Sequence, residues 1–389
     1  MGRNFWQSCR KITNSYLCYR QPSPLSTEGG EGQGMRLSQK LNIFNYRQPF
    51  ILESGKVLTG FHLGYTTLGL LNAEKKNVVW IFHALTANSN PEEWWPGLVG
   101  EGKLFDPAYH FIVCVNMPGS PYGSLSPLDK DPQTGEPFYH QFPLFTTRDM
   151  IKAYSHLKTF LGIKKISVGI GASLGGQQLL EWAINEPHLF TSIIPIATNA
   201  QHSPWGIAFN VTQRLCIEGD ATWQQKKADA GINGMKTARA LALLSYRQYI
   251  TYTVTQQGIV NEEDPIDKQV FAAETYQQYQ GDKLALRFNA FSYYFLSKTM
   301  DTHNVGRGRS SVENALQRIK AATLIIGIES DILFPISEQV FLAQNIPGAI
   351  LEIIDSPYGH DGFLLEFEKI TMLVNRFLKK EKEKHYLKI

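Results

Sequence analysis

Cysteine is scarce: Cys9, Cys18, Cys114 and Cys216 are the four thiols of a 389-residue chain. They are scattered without disulfide or metal spacing, which excludes a disulfide-stapled scaffold and points to a reducing compartment. No His or Cys pair has ligand spacing, and no metal centre is expected. No apolar run approaches the length of a membrane span. Charge is sparse and balanced, with 19% charged residues and a net charge of +3. That balance is too mild to argue for a nucleic acid or membrane partner. No dinucleotide fingerprint follows the first strand pattern, and no bound cofactor is expected. The body shows no internal repeat and no low-complexity run. What remains is a 43% hydrophobic chain, long enough for one large α/β domain with an insertion or for two domains.

The N-terminus reads differently from the body. Arg3, Arg10, Lys11 and Arg20 precede any acid, the first of which is Glu28, and the stretch ends in Ser-Thr-Glu-Gly-Gly-Glu-Gly-Gln-Gly. It lacks the uninterrupted apolar core of a secretory signal. Met1-Gly2 opens a myristoylation-like string, but Trp6 stands where Ser or Thr is needed. A basic, Ser-containing start is weakly like a transit peptide. The plainer expectation for residues 1–40 is a disordered or non-native extension, with Met35 as an alternative start.

Within the body, Phe44 to Thr67 reads as an antiparallel hairpin with its turn at Glu53–Lys56. Buried strands are expected at Asn77–Phe82, His110–Val115, Lys165–Ile170, Ser192–Ala197, Ala322–Ile328 and Ile350–Ile354. Helical spacing marks Thr147–Leu161, Gln177–Asn185 and Gly362–Leu378. Strands alternating with helices at this pitch imply a mostly parallel sheet with helices on both faces. The alternation stops between about His202 and Asn304, where Lys236–Leu244, Gln269–Tyr279 and Ala285–Ser297 carry helical spacing rich in Tyr and Phe. The expected organisation is a core of residues 41–200 and 305–380 interrupted by a helical insertion at 201–304.

The chemistry gathers on Gly171-Ala172-Ser173-Leu174-Gly175-Gly176. A strand, a Gly-x-Ser-x-Gly turn and a helix form a nucleophile elbow, in which Ser173 takes a strained backbone and its neighbours must lack bulk. The alternative is a Gly-rich turn that only packs. A serine nucleophile needs a base, and the base an orienting acid. In the α/β-hydrolase order the acid follows the nucleophile and the His comes last. Asp331 lies just past one late strand and His360 just past the next, both at the carboxyl edge of the sheet, where open α/β sites form. Separately, Asp331 reads as a helix cap and His360 as a loop His; three roles in order on the right loops are harder to dismiss. Glu329 and Asp355 are rival acids, with Asp355 placed inside the sheet edge. The oxyanion donors expected are the Leu174 and Leu85 backbone N–H groups. His83, at a strand end, is expected to shape the Leu85 loop and not to act as base.

These and further segments resemble one family. They are His83-Ala84-Leu85-Thr86, Trp94-Trp95-x-Gly97-Leu98, Asn116 to Gly123, Phe142-Pro143 with Arg148-Asp149-Met150, the Ser173 turn, Ala208-Phe209-Asn210-x-x-Gln213-Arg214, Met300-Asp301-x-His303 through Gly308, and Gly359-His360-Asp361-Gly362-Phe363. From about residue 40 to 378 the chain resembles the homoserine O-acetyltransferases of the α/β-hydrolase fold. The resemblance implies methionine biosynthesis in the cytoplasm, a helical lid and a homodimer built through it. It also implies ping-pong transfer of acetyl from the co-substrate acetyl-CoA to L-homoserine on Ser173, His360 and Asp331. Arg214 and Asp361 match the residues that grip the amino acid's carboxylate and amine. Alone, Arg214 would read as a lid-helix charge and Asp361 as a solvated loop acid. The sequence departs from the family at Ala87, Pro118, Pro121 and Ser126, near the expected acyl pocket. Succinyl transfer, a serine acceptor and a plain esterase on the same triad therefore stay open.

Overall fold

The computed structural model describes residues 41–386. The expected extension at residues 1–40 lies outside the described residues. Strand β1 (Asn42–Tyr46) pairs antiparallel with β4 (Phe61–Leu68), and the Glu53–Lys56 turn belongs to a small hairpin of β2 (Phe50–Ile51) and β3 (Val57–Leu58) between them. The continuous apolar runs become β5 (Val78–Phe82), β6 (Phe111–Val115), β7 (Ile166–Ala172), β8 (Phe190–Ile196), β9 (Ala322–Ile328) and β10 (Ile350–Ile354). Among the described residues, the main sheet has eight strands in the order β1-β4-β6-β5-β7-β8-β9-β10, parallel from β6 to β10.

Both faces of that sheet are covered at its centre, which is why inner strands such as β5 and β6 read as unbroken apolar runs. Along β5, Val78, Trp80 and Phe82 face α2 (Thr147–Phe160) and α3 (Leu174–Asn185), with Tyr154 and Trp182 in the same core. The Trp80 and Trp182 rings meet edge to face at 5.0 Å. The alternate residues Val79 and Ile81 face the opposite core, with Trp95 just after α1 (Pro91–Trp94) and with Ile370, Val374 and Phe377 of α11 (Phe367–Tyr386). Each such buried large side chain is worth roughly 1.5–3 kcal/mol.

Between β8 and β9 the chain forms α4 (Pro204–Glu218), α5 (Ile232–Tyr246), α6 (Tyr249–Thr255), α7 (Ala272–Ala285) and α8 (Ala290–Asp301). The chain leaves and returns at one neck, where Gln201 pairs with Asn304. His202 N–H donates to the His303 carbonyl at 2.9 Å and Val305 N–H to that of Ala200 at 3.0 Å. After the neck come α9 (Val312–Leu316) and α10 (Ile336–Asn345). The returning segment is clamped to the core by charge. Glu181 of α3 is buried, with Arg148 Nε at 2.8 Å and Arg309 Nη2 at 2.5 Å, while Glu53 holds Arg148 and Arg307 at 2.8 and 2.7 Å. A buried carboxylate with two guanidinium partners is stable only while both remain.

Several bounds differ from the sequence reading, and two of the differences bear on the site. The helix after Ser173 begins at Leu174, three residues before Gln177. The stretch read as one helix from Gly362 is a 3-10 turn at Gly359–Leu364 followed by α11.

Candidate active site

Ser173 stands between β7 and α3 with φ 55° and ψ −127°. A non-glycine residue there carries strain on the order of 1–3 kcal/mol, held only because the surroundings determine it. The surroundings are visible. A Cβ on Gly171 would lie 2.6 Å from the Gly175 carbonyl carbon, and one on Gly175 would lie 2.1 Å from the Phe82 carbonyl oxygen. The first turn of α3 is thereby pressed against the end of β5, beside the loop that carries Leu85. The Thr198 hydroxyl donates to the Ser173 carbonyl at 2.8 Å. Leu174 opens α3, and first-turn N–H groups have no carbonyl within their own helix.

His360 and Asp331 meet as a buried pair. His360 Nδ1 lies 2.6 Å from Asp331 Oδ2, and Asp331 Oδ1 accepts the N–H groups of Leu333 and Phe334 at 2.8 and 2.9 Å. The carboxylate is thus aimed from both oxygens, and a His bound this way through Nδ1 keeps Nε2 for chemistry. Three rings hold the imidazole: Phe334 stacked at 5.1 Å, Phe363 at 5.2 Å and Tyr246 at 5.8 Å. Both rival acids are exposed. Glu329 lies past the end of β9, and Asp355 stands just beyond β10 and not inside the sheet edge. Lys369 reaches the Asp355 backbone carbonyl.

His83 is spent on structure. Its Nε2 accepts the Met117 N–H at 3.1 Å while Nδ1 donates to the Ala84 carbonyl at 2.9 Å. Burial pushes its pKa down to about 4, so it stays a neutral brace between the Leu85 loop and the loop after β6. Arg287, between α7 and α8, bonds the Thr86 carbonyl and the Tyr122 hydroxyl, both at 2.5 Å, so the insertion is strapped to the same loop.

Arg214 and Asp361 are both buried, and each already has a counter-charge that the sequence reading did not supply. Arg214 of α4 donates from Nη2 to Asp301 Oδ2 at 2.5 Å and from Nη1 to the Ser297 hydroxyl at 3.0 Å. Arg247, at the end of α5, places Nε 2.7 Å from Asp361 Oδ2, in an ion pair whose N–H is not aimed along the contact. The end of α5 presses so closely on the His360 turn that a Cβ on Gly359 would lie 3.0 Å from the Tyr246 carbonyl oxygen, and Gly359 has φ +63°. Asp301 and His303 both lie within the Met300–Gly308 motif. Asp301 was findable there, whereas nothing in the sequence pairs Arg247 with Asp361. Among the described residues, no cluster of His, Cys, Asp and Glu could hold a metal ion. No helix among them is long and apolar enough to cross a membrane.

Comparison with known proteins agrees with this geometry. A family model described as the α/β-hydrolase fold matches residues 77–367. A homoserine O-acetyltransferase of Cyclobacterium marinum is 46% identical over 86% of this chain and 94% of its own. The crystal structure of a homoserine O-acetyltransferase from Bacillus anthracis superposes with a TM-score of 0.78 at 24% identity, over 87% of this chain and 97% of that one. Esterase E22 superposes at 0.79 with 22% identity, over 88% and 100%. At that identity the two structures speak for the fold alone. The buried Asp331–His360 pair, the strained Ser173 and the length and level of the sequence match lead to one assignment: the chain belongs to the homoserine O-acetyltransferase family of the α/β-hydrolase fold.

Proposed function

We propose that this protein transfers an acetyl group from acetyl-CoA to the hydroxyl of L-homoserine, a step of methionine biosynthesis, by ping-pong chemistry on Ser173. The observation that carries the reading is a strained elbow serine and a buried Asp331–His360 pair in a chain 46% identical to a homoserine O-acetyltransferase over 86% of its length. In the first half, Ser173 Oγ attacks the thioester carbonyl and His360 Nε2 takes its proton. Asp331 holds Nδ1–H and stabilises the imidazolium. The backbone N–H groups of Leu174 and Leu85 receive the oxyanion, a contribution on the order of 3 kcal/mol for each such donor. CoA leaves as the thiol with the proton from His360. In the second half, His360 takes the acceptor's hydroxyl proton, the alkoxide attacks the acyl-serine, and O-acetylhomoserine departs as Ser173 regains its proton.

The acceptor is a zwitterion, and both its charges need partners in a buried site. Arg214 is proposed for its carboxylate and Asp361 for its ammonium. Guanidinium has five N–H donors, so Arg214 keeps free edges beside Asp301. The acceptor thus joins ion pairs that already exist.

Release of CoA thiol, followed with and without homoserine, tests the reaction. Rapid release only with homoserine supports transfer; equal release without it, with acetate as product, would establish an esterase. Run as separate half-reactions, Arg214→Lys and Asp361→Asn are each expected to slow transfer by about 2–4 kcal/mol in barrier while leaving Ser173 acylation nearly intact. Homoserine, serine and succinyl-CoA in the same assay decide donor and acceptor.

A homodimer through the insertion, in the cytoplasm, completes the proposal. Among the tyrosines of the insertion, Tyr293 is buried, Tyr246, Tyr252, Tyr276 and Tyr294 are half-buried, and Tyr249 and Tyr279 are exposed. Beyond these, Leu286 is 89% exposed and Ile266 88%. Exposed apolar and aromatic side chains within the insertion support an interface. Light scattering at micromolar concentration should return about twice the 43.9 kDa chain mass; a monomer mass unchanged by dilution removes the dimer.

A further inference from the structure

His202 stands at the neck of the insertion and has no part in the scheme above. One edge of its ring leads to Arg214. Asn210 Nδ2 lies 3.2 Å from His202 Nε2, 2.8 Å from Asp301 Oδ1 and, at a longer 3.5 Å, from the Ser297 carbonyl. The other oxygen of Asp301 receives Arg214 Nη2. Of the two amide groups that face the ring, that of Asn210 makes the shorter contact, so Nε2 accepts from it and the neutral ring carries its proton on Nδ1. Burial holds the pKa of His202 down to about 4 despite the nearby Asp301 carboxylate, so the ring stays neutral. The amide of Asn210 therefore has one hydrogen committed to His202 and one to Asp301.

The other edge of the ring leads to the triad. His202 Nδ1 lies 3.4 Å from Gln177 Nε2; turned over, that amide presents to the ring its Oε1, otherwise buried without a partner, as the acceptor of the Nδ1 proton, and the Gln177 backbone N–H donates to the Ser173 carbonyl at 3.1 Å. The ring also meets Phe334 at 5.8 Å, and Phe334 stacks on His360. Its place is fixed from below, because a Cβ on Gly206 in the first turn of α4 would come within 2.5 Å of the imidazole.

We infer that His202 is a positioning residue for the transfer half-reaction: by accepting the Asn210 amide it locks the Asn210–Asp301–Arg214 chain that aims the guanidinium at the acceptor. Without Nε2, the Asn210 amide is free to turn, Asp301 loses one of its fixed donors, and the guanidinium paired to it loses its orientation. Acylation of Ser173 needs none of this chain. The inference rests on the reading of Arg214 as the carboxylate clamp.

The test compares His202→Phe, His202→Gln and Arg214→Lys in the full-length protein, with the two half-reactions measured separately. Phe keeps a ring against Phe334 but offers no acceptor. Gln offers an amide oxygen near the position of Nε2 but gives up the ring. Loss of one hydrogen bond to a charged network predicts that His202→Phe lowers kcat/KM for the acceptor about tenfold, with acylation changed less than about twofold. His202→Gln should restore most of that loss. A ring that only packs gives the reverse order, with Phe tolerated and Gln impairing both halves along with thermal stability; that result overturns the inference. Asn210→Ala breaks the same chain at its next link and must show the same selective loss if His202→Phe fails to fold; equal losses in both halves would overturn the inference again. If Arg214→Lys slows both halves alike, the clamp reading falls and the inference with it. If Arg214→Lys is selective while His202→Phe leaves transfer unchanged, the clamp stands and the inference alone falls.

Discussion

Asp331→Asn is expected to cut turnover by about 10,000-fold with the fold intact. In the native site Asp331 accepts from His360 at 2.6 Å through Oδ2 and from two backbone N–H groups through Oδ1. An amide in that place keeps an acceptor oxygen for one side only. The backbone donors claim the oxygen, the NH2 group faces His360, and Nδ1 is forced to accept. The ring proton then moves to Nε2, the nitrogen that must take the serine proton. Ser173→Ala should go further and leave no acyl-enzyme visible by intact mass after mixing with acetyl-CoA. His360→Ala should lose nearly as much, because members of such a unit do not contribute additively. The exposed Asp355 is the control. If Asp355→Asn loses turnover while Asp331→Asn keeps it, the acid has been assigned wrongly.

Gly175→Ala is expected to be the most damaging single methyl in the core, at about 3 kcal/mol or more of stability. Its Cβ would lie 2.1 Å from the Phe82 carbonyl oxygen and 3.1 Å from that of His83. Both are backbone atoms at the end of a central strand, so neither can swing aside as a side chain would. Relief requires α3 to move away from β5, which takes Leu174 away from the Leu85 loop and relaxes Ser173. Activity should fall together with the melting temperature. Gly135→Ala supplies the comparison, since Gly135 has φ +75° and open space around it; its cost is the left-handed penalty of about 1–2 kcal/mol. Comparable losses at the two positions would show that the elbow tolerates an opening of the helix–strand contact.

Legibility from sequence followed how local the cause was. β9 and β10 fall at Ala322–Ile328 and Ile350–Ile354 as read: β9 is buried on both faces and writes itself as an apolar run, and the edge strand β10 is marked by its β-branched residues. The start of α3 did not, because Gly175 and Gly176 are poor helix formers and only their fit against Phe82 and Thr198 makes them helical. The gap between Leu364 and Phe367 was hidden for a related reason. The apolar spacing runs straight through, while the chain tightens into a 3-10 turn that seats His360. Helix α4, which carries Arg214, was given no bounds although Ser203-Pro204 marks its start: the Ser203 hydroxyl accepts the Gly206 N–H at 3.2 Å, a signal available from sequence alone. Order and loop position singled out Ser173, which stands on a strained turn, and Asp331 and His360, which pair in the structure. The counter-charges were not, because Arg214 pairs with Asp301 87 residues away, and no periodicity links residues that far apart.

The neck at Gln201 and Asn304 has an evolutionary consequence. Backbone bonds on either side of that pairing join the two ends of the insertion, so the core sees a loop already closed. The entropy of closing a loop rises only logarithmically, by about 0.6 kcal/mol for each doubling in length. The insertion can therefore be lengthened, trimmed or replaced as a cassette at small cost to the sheet. Ser173, Asp331 and His360 stay behind in the core, whereas Arg214 and Arg247 travel with the cassette. On the proposed roles the acceptor clamp is thereby divided, its carboxylate half in the cassette and its ammonium half, Asp361, in the core, so a new cassette changes one half of acceptor choice while the triad is left as it stands.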